Sequence, residues 1–152
     1  MKTKLMELFY LALVLLAGLG VPLQTASNSA LGKQLGSPWH STLAVFVIGA
    51  ILVAMVFMAH RYSLPNSPVI SGAPWWSWLG APLGVAYIFI LIIAAPRLGM
   101  STAVGIVIVG QLLGSVLIDH FGWLGFPVHQ INWKRALGVL LLLTGVWLVK
   151  KY

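Results

Sequence analysis

Five long apolar runs, separated by short polar segments, constrain the fold of this 152-residue chain more than any other feature. A bilayer core about 30 Å thick is crossed by about 20 apolar helical residues. Because the runs lack the in-and-out alternation of transmembrane strands, they predict helices and an all-α integral membrane protein. We expect one transmembrane domain, residues 1–152, whose five spans cover residues 5–35, 39–60, 75–95, 99–120 and 134–150.

The scarcity of charge excludes several classes of protein. Only 7% of the residues are charged, against roughly 25% in a typical soluble domain, so the chain could not cover a water-exposed surface. The nine Lys and Arg residues lie singly or in pairs, which is unlike a nucleic-acid-binding patch. The sequence lacks HExxH and GxSxG motifs and cysteine. We therefore expect no enzyme activity, no cofactor, no metal site and no nucleic-acid partner.

The distribution of basic residues gives the chain almost no preferred orientation. With five spans, one side of the membrane holds Lys2, Lys4, Arg61, Lys134 and Arg135. The other side holds Lys33, Arg97, Lys150 and Lys151. Since Lys and Arg in short loops favour the cytoplasmic side, a ratio of five to four predicts dual topology, with copies paired antiparallel. The alternative is one orientation selected by a weak bias.

The fourth span carries polar residues within its apolar run. Gln111, Ser115 and Asp119 are spaced four residues apart and share one helix face, and Gly110 and Gly114 form a GxxxG pair beside them. A buried amide is costly in hydrocarbon unless it is paired or hydrated. Gln111 and Ser115 are therefore candidates to line a substrate pathway. The alternative for Gln111 is a hydrogen bond that joins two helices.

The two acids are the candidates for proton or cation coupling. Asp119 ends the fourth span, where it could bind a cation or carry a proton, or instead be an interfacial acid facing a nearby Arg. Glu7 lies at the start of the first span. An acid in a first helical turn also complements the helix dipole, which is the alternative for Glu7.

The first span changes from apolar to polar at Pro22, where the missing N–H predicts a kink. Beyond it, Gln24 and Asn28 share a face. We expect the polar half to line a vestibule, and the alternative is a helix end in water. In the third span, Tyr87 is either an aromatic wall for an organic cation or a packing residue.

Glycine pairs in three spans predict close helix packing or dimerisation, because small residues let backbones approach. The third and fourth spans carry GxxxG pairs, and the fifth carries two glycines one heptad apart. These residues are Gly80, Gly84, Gly110, Gly114, Gly138 and Gly145.

Four segments are distinctive in their order and spacing: QTASNSALGKQLGSP, PRLG, VGQLLGSVLIDHFG and RALGVLLLLTGVWL. Together they resemble the YdcZ-like family of small five-helix bacterial inner-membrane proteins in the drug/metabolite transporter superfamily, and the resemblance covers nearly the whole chain. It implies an inner-membrane location, a transporter-like bundle and a relationship to small multidrug resistance transporters, some of which are antiparallel dual-topology dimers. The functional glutamate in the first helix of those transporters falls near Gly20 here, so proton-coupled export of cations does not carry over directly.

These observations predict a transporter of a small polar or cationic organic solute that acts as a dual-topology homodimer. Its expected partners are the lipid bilayer, a second copy of the chain and the substrate. Two alternatives stay open: a dimeric channel for ions or small solutes, and a membrane assembly subunit without transport activity.

Overall fold

The structure is a computed structural model that describes residues 2–152, so the first residue of the expected domain, Met1, lies outside the described residues. The described chain contains helices and no strand, which confirms the all-α prediction. The five long helices are α1 (Lys2–Gln34), α2 (Pro38–Ala59), α4 (Gly80–Leu98), α5 (Met100–Phe121) and α6 (Trp133–Lys151). The short helix α3 spans Ser67–Ser71, and 3₁₀ turns cover Trp75–Leu79 and Trp123–Gly125.

Four helical segments are long and apolar enough to cross a membrane. They are Lys4–Gln34, Pro38–Ala59, Trp75–Leu98 and Met100–Phe121. Helix α6 has two basic residues near each end and a shorter uncharged stretch, residues 136–149, between them. Long Lys and Arg side chains can extend toward the interface from such a helix, so crossing by α6 stays a prediction.

Helix boundaries follow local backbone chemistry. The Ser37 hydroxyl caps α2 by accepting the Trp39 N–H at 3.2 Å, and Pro38 occupies the first helical position, where no N–H is needed. Helix α4 continues through Pro96 to Leu98, three residues beyond the predicted end, and Gly99 alone connects it to α5. Gly99 has φ +85°, a conformation that L side chains rarely adopt.

Proline is tolerated in the last turn of α4 because only one backbone hydrogen bond is lost there. The ring nitrogen of Pro96 cannot donate to the Ile92 carbonyl. The Ser29 hydroxyl donates to that carbonyl instead, at 3.4 Å. Helix α1 likewise runs through Pro22, and a kink at that residue stays a prediction.

The chain divides into two compact units, one formed by Met1–Gln24 with Ala94–Tyr152 and the other by Thr25–Ile93. The boundary within α1 falls two residues after Pro22. In the first unit, α5 packs on α6: a Cβ atom added to Gly105 would lie 3.1 Å from Val146 Cγ1. Residues 4–20 of α1 are all exposed.

Polar side chains outnumber apolar ones among the buried side chains of the described residues. The polar ones are Thr25, Asn28, Ser29, Ser41, Thr42 and Thr102. The apolar ones are Leu91, Ile92, Ala95 and Ala103. Large apolar side chains cover much of the outer surface, as expected where the solvent is lipid rather than water.

Candidate functional site

Small polar side chains of α1 and α2 form a buried cluster, here called the polar junction, in the unit Thr25–Ile93. Its members are Thr25, Asn28, Ser29, Ser41 and Thr42. The Ser41 hydroxyl, which is 0% exposed, donates to the Asn28 carbonyl at 2.7 Å. Within α2, the Thr42 hydroxyl donates to the Pro38 carbonyl at 2.9 Å. These bonds satisfy the hydroxyl groups where no water reaches them.

Close approach of the helices at the polar junction depends on Gly32. A Cβ atom at this position would lie 3.2 Å from Ile92 Cγ2 and 3.5 Å from Ser41 Cβ. The sequence contains Gly32 in the segment that carries the family resemblance, but spacing alone did not single it out. Gly32 therefore adds a packing glycine to the six that the sequence predicted.

Gln24 and Asn28, which are predicted to share a face of α1, differ in exposure. Asn28 is buried in the polar junction, whereas Gln24 is exposed. Asn28 and Ser29 lie in the part of α1 that packs against α2 and α4, so this part is not a helix end in water. Tyr87 is half-buried on α4, and its hydroxyl makes no hydrogen bond within residues 2–152.

Gln111 and Ser115, here called the α5 stripe, are both exposed in the single chain. The Ser115 hydroxyl donates to the Leu112 carbonyl of its own helix at 2.9 Å. Among the described residues, nothing forms a hydrogen bond with the Gln111 amide. An amide thus lies unpaired on the surface near the middle of a 22-residue apolar helix.

Most of the predicted packing glycines face open space in the single chain. No atom lies within 4 Å of a Cβ built on five of them: Gly80, Gly110, Gly114, Gly138 and Gly145. At Gly84 the nearest atom is Phe46 Cζ, at 3.8 Å. The contact between α5 and α6 instead lies at Gly105, which the sequence did not indicate and where a Cβ atom would lie 3.1 Å from Val146 Cγ1.

Asp119 belongs to a network that holds the loop between α5 and α6. Its carboxylate lies 3.6 Å from Arg135 Nη1, and both side chains are about one-third exposed. Arg135 Nη1 also donates to the His129 carbonyl at 3.1 Å, and the His129 N–H donates to the Asp119 carbonyl at 2.7 Å. The structure therefore places Asp119 opposite an arginine at the helix end, which is the interfacial alternative.

The same loop has two further polar attachments. The Ile131 N–H donates to His120 Nδ1 at 3.2 Å, and the Asn132 side chain caps α6 by accepting the Arg135 N–H at 3.0 Å. The sequence places both His120 and His129 near span ends without assigning them partners. Their partners come from the folding back of the loop, which residue spacing does not encode.

Glu7 is exposed on α1 and forms no ion pair with any residue that the structure describes. The dipole interpretation of this residue is wrong, because α1 begins at Lys2 and its first turn contains no acid. The stabilising effect of the helix dipole falls off within that first turn. A coupling role for Glu7 stays a prediction, as does one for Asp119.

Comparison with known proteins supports the predicted family resemblance. The sequence family described as "Putative inner membrane exporter, YdcZ" matches residues 9–148. The chain is 23% identical over 141 residues to a curated protein of Escherichia coli (strain K12) named "Inner membrane protein YdcZ". That alignment covers 93% of this chain and 94% of the relative. No solved structure matches the chain. With its apolar helices, the match confirms a multi-pass protein of the inner membrane.

Proposed function

The chain belongs to the YdcZ family of the drug/metabolite transporter superfamily, and from this premise we propose that two antiparallel copies form one transporter. The family is described as an exporter of the inner membrane, which supports membrane transport as the general function. Our proposal adds that the solute is a small polar or cationic organic molecule. It also adds that the α5 stripe lines the pathway between the copies.

The position of Gln111 carries the proposal. Its amide is exposed on α5 and has no hydrogen-bond partner within residues 2–152. Contact with hydrocarbon would leave several donor and acceptor sites unsatisfied, at a cost of about 2–7 kcal/mol. A second copy that covers this face, together with a hydrated pathway, removes that cost. The open faces of Gly110 and Gly114 support the approach of another backbone.

The charges support an antiparallel rather than a parallel pair. With five basic residues on one side and four on the other, the two orientations in the membrane should be nearly equally populated. One chain also has only five long helices to line a pathway among its described residues, and a second copy would double that number. We therefore place the substrate between two identical chains in opposite orientations.

Polar and aromatic side chains favour the proposed class of solute. Amide and hydroxyl groups of Gln111 and Ser115 would hydrogen-bond a polar molecule, and Tyr87 would offer an aromatic face to a cation. Few carboxylates are available to couple transport to protons, because Glu7 and Asp119 are the only acidic side chains in the sequence. This scarcity favours weakly charged or neutral solutes.

Reconstitution with a substrate screen tests this function. Purified protein in liposomes should give saturable counterflow of at least one small polar or cationic compound. The variant Gln111→Leu should reduce that flux at least tenfold without reducing dimer yield. The matched control is Leu113→Ala. Leu113 is also exposed on α5, and its replacement should leave flux within about twofold.

Other outcomes would contradict parts of the proposal. Unchanged flux in Gln111→Leu would remove this residue from the pathway and leave it as a link between helices. Very high unitary flux without saturation would favour a channel. Absence of flux for every compound, with stable association to a larger complex, would favour an assembly subunit.

A further inference from the structure

The end of α2 borders an apolar groove, here called the α2 groove, in the unit Thr25–Ile93. The groove is shallow and open along the surface, and its volume is about 630 Å³. Apolar side chains form its walls and two polar residues lie at one end. The lining includes Val53, Ala54, Phe57, Leu64, Arg61 and Tyr62. The groove lies on a different helix from the α5 stripe.

The backbone at Arg61 is strained for a residue with a side chain. Its φ is +53°, in the left-handed region. The Tyr62 N–H donates to the Phe57 carbonyl at 3.1 Å, and the Arg61 N–H donates to the Met58 carbonyl at 3.2 Å. This pair of bonds is a Schellman motif, and glycine is the usual residue at the position of Arg61. The Phe57 and Tyr62 rings, 5.3 Å apart, add the apolar contact of the motif.

From the length of α2 we expect Arg61 to lie at the level of the lipid head groups. A helix of 22 residues is about 33 Å long, close to the thickness of a bilayer core. Arg61 follows two residues after its end. The walls of the groove run back along α2 from there toward the apolar interior. A ligand in this groove would have a polar end in the interface and an apolar end in the core.

Arg61 forms no ion pair with any residue that the structure describes. Within the described residues, the one acid in an ion pair is Asp119, which contacts Arg135. A guanidinium group binds phosphate through two parallel hydrogen bonds, and Tyr62 beside it can donate another. Arg61 is thus an unpaired cation at the rim of an apolar groove, in a position that favours glycine. These properties suit a ligand that has an anionic group and an acyl chain.

We propose that the α2 groove binds an anionic phospholipid. The phosphate contacts Arg61 and Tyr62, and one acyl chain lies along Val53 and Phe57. The occupant is a bilayer lipid and not the transported solute. Its site does not depend on the α5 stripe or on the antiparallel pair.

Thermal unfolding of the purified protein in a neutral detergent tests the proposal. Phosphatidylglycerol should raise the Tm by several times more than an equal amount of phosphatidylcholine does. Arg61→Gly should raise the Tm without lipid, because glycine relieves the strained backbone, and should abolish the extra rise with phosphatidylglycerol. Arg97→Gln, which removes another exposed basic residue, should retain that extra rise.

A second variant tests the groove independently of Arg61. Ala54→Leu should fill the groove, and so reduce the extra rise by at least half, while Arg61 is intact. Equal shifts from the two lipids, or a full extra rise in Arg61→Gly, would overturn the proposal. An equal rise from inorganic phosphate would overturn the role of the acyl chain.

Discussion

Ser41 and Gly32 together determine how closely α1, α2 and α4 approach one another. Ser41 is fully buried and bonds the Asn28 carbonyl, and Gly32 leaves room for Ile92. Small residues have this role in membrane proteins because packing, rather than the hydrophobic effect, drives association between helices in lipid. Substitutions at Ser41 and Gly32 should therefore weaken the packing of these helices.

Replacing Ser41 should destabilise the fold because its hydrogen bond to the Asn28 carbonyl is lost. Ser41→Ala should lower the free energy of unfolding by about 1 kcal/mol, the net value of a typical hydrogen bond. The Asn28 carbonyl lies inside α1 and keeps its helical hydrogen bond, so we expect no additional cost from an unsatisfied carbonyl. Denaturation in mixed micelles measures the change. Ser27→Ala, which replaces an exposed serine of α1, is the control, and an equal loss there would contradict the prediction.

Enlarging Gly32 should separate the helices. Gly32→Leu should destabilise the protein by about 1–3 kcal/mol, the usual cost of overpacking, because its Cβ alone lies 3.2 Å from Ile92 Cγ2. Gly18→Leu is the control: it gains the same helix propensity, and nothing lies within 4 Å of its Cβ. The two variants are compared by thermal unfolding. If both have the same Tm, the packing role of Gly32 is wrong.

At the scale of elements, the two asparagine caps provide a matched comparison. Asn132 caps α6 with a hydrogen bond to the Arg135 N–H, whereas Asn66 precedes α3 without a side-chain cap bond. Asn132→Ala should therefore cost about 1 kcal/mol of stability. Asn66→Ala should cost clearly less. Urea or mixed-micelle unfolding of both variants measures the difference, and similar losses would argue against capping at Asn132.

The long helices were predictable because apolar runs of this length have few alternatives in a bilayer. The predicted starts and ends of α2, α5 and α6 agree with the structure within one residue. The end of α4 was placed too early, since a proline usually marks a helix boundary. Pro96 lies inside the last turn instead, where the Ser29 hydroxyl bonds the carbonyl that the proline leaves free.

The candidate site was less predictable than the helices. Helical spacing correctly groups Gln111 with Ser115, but it cannot say which neighbour a face meets. Gln24 and Asn28 have the same spacing, yet one is exposed and the other buried. The Arg135 partner of Asp119 is sixteen positions away and is brought near by the loop. Such contacts depend on tertiary packing, which periodicity does not determine.

At the scale of the whole molecule, the near balance of basic residues predicts two orientations in one membrane. A reporter fused to the C-terminus should give signal from both sides, in amounts that differ by less than about threefold. Lys150→Gln with Lys151→Gln removes two charges from one side and should make one orientation dominant. Signal from a single side of the unmodified protein would contradict dual topology.

Opposite charge variants should complement each other if antiparallel pairing is required. A second variant, Lys2→Gln with Lys4→Gln and Lys134→Gln, leaves two basic residues on the first side against four on the other, and so shifts the balance in the other direction. Each variant alone should lose most transport, and the two expressed together should recover it. Full transport by either variant alone would show that a parallel pair or a monomer is sufficient.

The connection between α4 and α5 has a consequence for how the protein is made. Gly99 is the single residue between two helices that are each long enough to cross a bilayer. Because one residue connects them, no loop is long enough to let one helix insert into the membrane while the other stays in water. We therefore expect the two helices to enter the membrane together as a hairpin, with Arg97 near its tip. The orientations of these two helices are then decided in one event during synthesis.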